Sequence, residues 1–158
     1  MRWRQMTADD LDKVVAVARV AFPDHPEERA CFAERLALSP DLCFVLADGD
    51  DVAGYLIAYP WPLGRIPPLN SLLGALPEAR DALYLHDLAL RPDARGGGHT
   101  QAILGLLFGR AVGTPIALVS VNDSAAFWRA QGFADKDATG LAEKLASYGP
   151  DARYMVRT

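Results

Sequence analysis

The stretch Leu83-Tyr-Leu-His-Asp-Leu-Ala-Leu90, Arg91-Pro-Asp-Ala-Arg-Gly-Gly-Gly-His-Thr100, Gln101-Ala-Ile-Leu-Gly-Leu-Leu107 decides the fold. Its first part is an apolar run and reads as a strand. A proline and three consecutive glycines interrupt it. Apolar residues then recur at Ile103, Leu106 and Leu107 with helical spacing. A strand, a glycine turn and a helix start therefore follow one another directly. The first N–H groups of a helix have no intrahelical partner and carry partial positive charge. Glycines let a ligand approach them closely, so an anion, most often a phosphate, suits this place.

Working outward toward the N-terminus, residues 42–47 are apolar and partly aromatic and read as a buried strand. Asp48-Gly-Asp-Asp51 is a hairpin turn, and residues 52–59 form the return strand, with Gly54 marking a bulge or a close backbone approach. Before this pair, residues 3–5 suit a short first strand. Thr7-Ala-Asp-Asp10 has the form of a capping box, with Asp10 in place of the usual glutamate. Leu11, Val14, Val15, Ala18 and Phe22 keep helical spacing until Pro23 stops the run. A second helix is expected from Pro26, with Glu27 and Glu28 in its first turn, to about Leu38. Residues 60–82 hold prolines at 60, 62, 67, 68 and 77. They are too long for an ordinary connection, which points to a functional loop with a helical turn around residues 69–76, or to a mobile surface insertion.

Beyond the glycine turn, Gly113-Thr-Pro115 ends the helix and residues 116–121 form another strand. Asn122-Asp-Ser124 precedes a short helix over residues 125–131, closed by Gly132. A further strand starts at Phe133. Residues 138–150 are ambiguous, with a helix possible from Leu141 to Ser147, and residues 152–157 read as a last strand.

Two common phosphate loops fail on spacing. A Walker A loop needs Gly-Lys-Ser/Thr, but His99-Thr100 follow Gly98. A dinucleotide fingerprint starting at Gly96 needs glycine where Gln101 stands. The segment that remains, Arg95-Gly-Gly-Gly-His-Thr100, resembles the Arg/Gln-x-x-Gly-x-Gly/Ala signature of the GCN5-related N-acetyltransferase (GNAT) family. Residues 85–95 look like that family's strand and entry turn. Asn122 to Phe133, ending Ala126-Phe-Trp-Arg-Ala-Gln-Gly-Phe133, look like its second cofactor segment. The order of elements matches over nearly the whole chain.

The resemblance implies a single α/β domain over residues 1–158, with a mixed central sheet of six or seven strands flanked by helices. It also implies acetyl-CoA as cosubstrate. The amides from Gly96 through Gly97, Gly98 and His99 to Thr100 would bind the pyrophosphate, with Arg95 adding charge. The backbone of Leu88, Ala89 and Leu90 would pair with the pantetheine amides, and Asn122, Phe127 and Trp128 would line the far side of the arm.

Amine acetylation requires loss of the amine proton, a polarised carbonyl and departure of the CoA thiolate. Tyr84 and His86 stand two apart on the strand and so share a face. In the arylalkylamine-acetylating branch of the family, histidines occupy the matching positions. His86 is therefore expected as general base, direct or through a water, with Tyr84 assisting; the alternative is a packed core histidine. Alternation sends Asp87 to the opposite face, where it orients a neighbour, binds the substrate ammonium or is structural. Trp128 replaces the tyrosine that protonates the leaving thiolate in many relatives, which leaves Tyr84, Tyr148 or unassisted departure.

Composition bounds the rest. Hydrophobic residues make up 51% of the chain and the formal net charge is -4. There is no clustered Lys and Arg for nucleic acid and no apolar run long enough for a membrane span. The start of the chain lacks a signal-peptide pattern. Cys31 and Cys43 fit no metal spacing and read as reduced thiols, hence a cytoplasmic protein. His99 is expected near the phosphates and His25 at the surface, with no metal site. The expected partner is a small amine or peptide amine, with neither nucleic acid nor membrane, and the chain a monomer or homodimer. Two alternatives stand beside direct acetyl transfer: a non-catalytic CoA-binding or regulatory module of the same fold, and a transferase for a bulkier acyl group.

Overall fold

A computed structural model of the chain describes residues 1–137 and 140–158. The elements run β1 (Arg2–Gln5), α1 (Leu11–Ala21), α2 (Arg29–Leu38), β2 (Cys43–Asp48), β3 (Asp51–Trp61), β4 (Ala82–Leu90), α3 (His99–Arg110), β5 (Ile116–Ser120), α4 (Ala125–Ala130), β6 (Ala134–Asp135), α5 (Ala142–Ala146) and β7 (Arg153–Arg157). The seven strands form one sheet in the order β1-β2-β3-β4-β5-β7-β6. Every neighbouring pair is antiparallel except β4 and β5, which are parallel. The α3 crossover between them is the connection a parallel pair requires.

Local chemistry explains the element ends. The Asp10 carboxylate accepts the Thr7 N–H at 2.8 Å, as the capping reading expects, and also takes a two-pronged bond from Arg4 at 2.8 Å. Gly49, at φ +62°, makes the two-residue hairpin between β2 and β3. Gly132, at φ +94°, closes α4. Helix α2 starts later than the sequence suggests: Pro26, Glu27 and Glu28 precede it, and Glu28 has extended backbone. No helix forms over residues 69–76. Of the ambiguous segment, positions 138 and 139 lie outside the described residues, and α5 lies within the expected helix.

Both faces of the sheet are covered. Val14, Val15 and Phe32 from α1 and α2 pack with Tyr55, Ile57 and Tyr59 on one face. Ile103, Leu104 and Leu107 from α3, with Trp128 from α4, pack with Leu56, Ala58 and Leu118 on the other.

Two irregularities in the sheet position the site. First, β4 and β5 pair only at Leu83↔Ile116 and Tyr84↔Ala117, while the remainder of β5 pairs with β7 alone. The strands therefore diverge beyond Tyr84. From Asp87 to Leu90, β4 is bonded to β3 on one side and has no ladder partner among the described residues on the other. Second, Ile57 pairs with Asp87 but Ala58 pairs with Leu85, so His86 is the extra residue of a bulge in β4. The bulge breaks the period-2 alternation, and this corrects the expectation for Asp87: it lies on the same face as Tyr84 and His86, bonded to Tyr55.

Candidate functional site

A cavity of ≈ 600 Å³ opens where β4 and β5 separate. One end is walled by Leu88, Ala89 and Leu90 of the unpaired β4 edge, with Arg95 and Thr100 at the mouth of α3 and Asn122, Phe127 and Trp128 opposite. All eight were expected from the sequence to meet the cofactor, and the fold brings them to one cleft. Gly96, Gly97, Gly98 and His99 sit just outside it, in the turn that enters α3.

That turn is built to leave its amides free. Gly96 and Gly98 have φ of +82° and +81°, a backbone that L side chains seldom adopt. The first bond into the helix is Ala102 N–H to Gly98 O at 3.1 Å, so the amides from Gly96 to Gln101 have no protein acceptor among the described residues. The turn is pinned from behind by Trp3, whose indole N–H donates to His99 O at 2.8 Å. Trp128 is 9% exposed and packs edge-on against Phe133 at 5.4 Å, so it is a core aromatic that also borders the cleft. Phe127 stays 39% exposed.

The other end of the cavity holds the titratable groups. Glu27, His86, Asp87 and Tyr148 line it with Phe22, His25 and Leu69. His86 and Glu27, each with only 5% of its side chain exposed, are joined through Nε2 and Oε1 at 2.6 Å. His86 Nδ1 lies 3.2 Å from the Tyr59 hydroxyl. Both ring nitrogens are thus occupied within the protein. Burial pulls the His86 pKa down, but the charges of Glu27 and Asp87 outweigh it and the net shift is upward. His86 therefore keeps its proton to higher pH than an ordinary imidazole. For Glu27, burial favours the neutral form; the His86 charge and hydrogen bond, the Asn70 amide and Arg35 overcome it, leaving the pKa lowered.

Asp87 differs from both. Its Oδ2 accepts from Tyr55 Oη at 2.8 Å, and its other oxygen has no hydrogen-bond partner among the described residues. Burial lifts its pKa to about 6, against the opposing charge of His86. A carboxylate poised there, bordering a cavity, is well matched to taking a proton near neutrality.

Tyr84 does not border the cavity. It is 2% exposed, its ring tilted against those of Tyr59 at 5.7 Å and His86 at 6.3 Å, and burial holds its hydroxyl well above the usual range. Tyr148 is the tyrosine in the cavity wall, its hydroxyl donating to Pro67 O at 2.6 Å. His25 is half-buried rather than superficial, with Nε2 at 2.5 Å from Tyr148 O. Glu27, His86 and Asp87 also offer donor atoms within 4.8 Å of one another, a spacing compatible with a divalent cation. Each already has a hydrogen-bond partner in the protein. Cys31 and Cys43 are buried free thiols, and burial pushes Cys43 up to about 12. Among the described residues no helix is long and apolar enough to cross a membrane.

The sequence missed Glu27 as a partner of His86, from which it stands 59 positions away. Only its burial in the folded chain distinguishes it from Glu28.

A split strand pair with free helix-entry amides beside it is the arrangement that the sequence resemblance implies. The acetyltransferase (GNAT) family model matches residues 4–133, and the chain belongs to that family. No curated protein matches the sequence. Solved structures share the fold. The GphF GNAT-like decarboxylase in complex with isobutyryl-CoA is 17% identical, with TM-score 0.78 over 100% of this chain and 99% of that one. The loading GNATL domain of CurA from Lyngbya majuscula is 11% identical, with TM-score 0.79 over 99% and 96%. Naa20 of Chaetomium thermophilum, in complex with a bisubstrate analogue, is 19% identical, with TM-score 0.70 over 99% and 86%.

Proposed function

We propose that the protein is an acetyl-CoA-dependent N-acetyltransferase that moves the acetyl group directly to a primary amine of a small molecule or peptide. The observation that carries this reading is the pairing of two ends in one cavity. One end presents a strand edge without a neighbouring strand, its Leu90 carbonyl met by Arg95 at 3.4 Å, and helix-entry amides; the other presents two buried carboxylates and a histidine. The β4 edge from Leu88 to Leu90 offers peptide-like donors and acceptors to the pantetheine amides. The amides from Gly96 to Thr100, with the Arg95 guanidinium, suit the diphosphate.

The acceptor arrives as an ammonium, loses one proton to solvent and reacts as a neutral amine. Its nitrogen attacks the thioester carbonyl carbon, the C–S bond breaks and the CoA thiolate departs. As the N–C bond forms, the nitrogen becomes acidic and gives its proton to the free oxygen of Asp87. His86, held by Glu27 and Tyr59, supplies the positive charge that limits repulsion between the two carboxylates. The thiolate needs no dedicated acid, since a thiol pKa of roughly 8.5 makes it a fair leaving group. Glu27 and Asp87 also favour an ammonium-bearing acceptor and repel an acyl group with its own carboxylate, which sets this reading apart from decarboxylation.

The test mixes the protein with acetyl-CoA and a panel of small amines, amino acids and peptides while following free thiol. Amine-dependent thiol release supports the reading. CoA binding without release across the panel favours a non-catalytic module, and faster release from longer acyl-CoAs favours a bulkier acyl donor.

A further inference from the structure

The connection between β3 and β4, residues 62–81, has the length and proline content of a mobile insertion, yet it is tied down along its course. Gly64 N–H donates to Tyr154 Oη at 2.9 Å, and Pro67 O receives the Tyr148 hydroxyl at 2.6 Å. Ser71 O receives Arg35 Nη1 at 2.9 Å, and Glu34 accepts the amides of Leu73 and Gly74 at 2.6 and 3.1 Å. At its tip stands Asn70, in the left-handed region at φ +47°. Asparagine tolerates that conformation better than most residues.

Asn70 makes two bonds to consecutive residues of the α1–α2 connection. Its Oδ1 accepts the Glu28 N–H at 2.7 Å, and its own N–H donates to Glu27 Oε2 at 3.1 Å. The other oxygen of Glu27 is the one that meets His86. Glu27 thus spans from the loop tip to β4, with one carboxylate oxygen fixed at each end. It lies before the first turn of α2, so no helix holds its backbone. Leu69, next to Asn70, borders the cavity.

We propose that Asn70 is a positioning residue: it grips the backbone after Glu27 and the far oxygen of Glu27, thereby locking that carboxylate onto His86 and seating Leu69 over the acceptor end of the cavity. This rests on the reading of Glu27, His86 and Asp87 as the reacting end. The charged and titratable groups facing His86 are Glu27 from the α1–α2 connection, Asp87 and Tyr84 from β4, Tyr59 from β3 and Arg35 from α2. Of these, Asn70 bonds Glu27.

The test follows the imidazole nitrogens of the chain's three histidines by long-range proton–nitrogen correlation as pH is varied. The His86 signal is assigned by its loss in His86→Gln. In the unmutated chain His86 titrates above the ordinary value of about 6.5. In Asn70→Gly, which keeps the left-handed backbone and its N–H but loses the side-chain grip on the Glu28 amide, and in Asn70→Ala, the loop tip is released from the α1–α2 connection and the midpoint falls toward that value. Turnover falls by about tenfold while KM for acetyl-CoA holds.

An unchanged His86 midpoint in folded Asn70→Gly overturns the proposal, because a purely structural role lowers stability without moving that titration. The unmutated chain gives a second reading by hydrogen exchange. Slow exchange of the Glu28 and Asn70 amides supports the latch, and exchange as fast as an exposed loop overturns it. An absence of acetyl transfer in the unmutated chain removes the functional reading, yet the His86 titration still judges the latch. Transfer with an unchanged titration removes the latch alone.

Discussion

Replacing Gly54 with alanine probes the groove through its back wall. Gly54 pairs with Leu90 in the register of β3 and β4, opposite the β4 edge that is left open. A Cβ at Gly54 would stand 2.7 Å from Ala89 O, 3.0 Å from Leu90 Cγ and 3.3 Å from Leu90 Cα. An ordinary carbon–oxygen contact is longer by about half an ångström, and two of the three obstacles are backbone, so β4 must shift by that amount. Overpacking of this kind costs about 1–3 kcal/mol of stability. The displaced residues are the ones assigned to the pantetheine amides. Misaligning one or two hydrogen bonds worth about 1 kcal/mol each weakens CoA binding by roughly 5- to 30-fold. Denaturant unfolding and calorimetric titration with CoA measure the two effects. Gly105→Ala is the control: it is helical, has nothing within 4 Å of the added carbon and lacks positive φ, so stability should hold or rise slightly with CoA affinity unchanged. Unchanged CoA affinity in a folded Gly54→Ala protein would refute the placement of the arm along β4.

Asp87→Asn should lower turnover by ~10²-fold or more, and the rise of kcat/KM with pH through about 6 should vanish, as a pH–rate profile would show. The same change bears on stability. A carboxyl whose pKa is raised in the folded state makes the fold less stable as pH climbs from the unfolded value of about 3.9 toward 6; Asp87→Asn should flatten that slope in thermal unfolding. Asp10→Ala removes the cap and the Arg4 bond, costing about 1–2 kcal/mol near neutral pH. Because the Arg4 hydrogen bond holds the Asp10 pKa below the usual range, that stabilisation is present above the unfolded value and disappears as pH falls through the folded one. The difference between Asp10→Ala and the parent should therefore narrow in acid. Gly98→Ala forces a side chain to adopt φ +81° at the entry to α3; it should cost ~1–2 kcal/mol and weaken CoA binding, with 3′-dephospho-CoA weakened in parallel.

The cleft end proposed for the cofactor was legible in the sequence as a shape because its parts are local. A strand, a glycine turn and a helix start are contiguous, and the glycine spacing excludes rival phosphate loops. The capping box at Thr7 and Asp10, the hairpin at Gly49 and the helix stop at Gly132 depend equally on nearest neighbours. The end proposed to react was not legible, because it depends on contacts between distant segments and on one irregular residue. Alternation sends Asp87 away from Tyr84, and only the bulge at His86, a matter of register against β3, returns it. Glu27 reads as an ordinary first-turn acid until α2 is seen to begin at Arg29. The upward shift at His86 was hidden for the same reason, since its carboxylate partner lies 59 positions away. His25, set between prolines, looked superficial and instead borders the cavity.

The most direct test of the account is a crystal structure with acetyl-CoA bound. The account predicts the diphosphate on the amides from Gly96 to Thr100, the pantetheine amides paired to the open edge from Leu88 to Leu90, and the thioester facing Asp87. A coenzyme seated elsewhere on the molecule, or a cleft left vacant at saturating coenzyme, would contradict it.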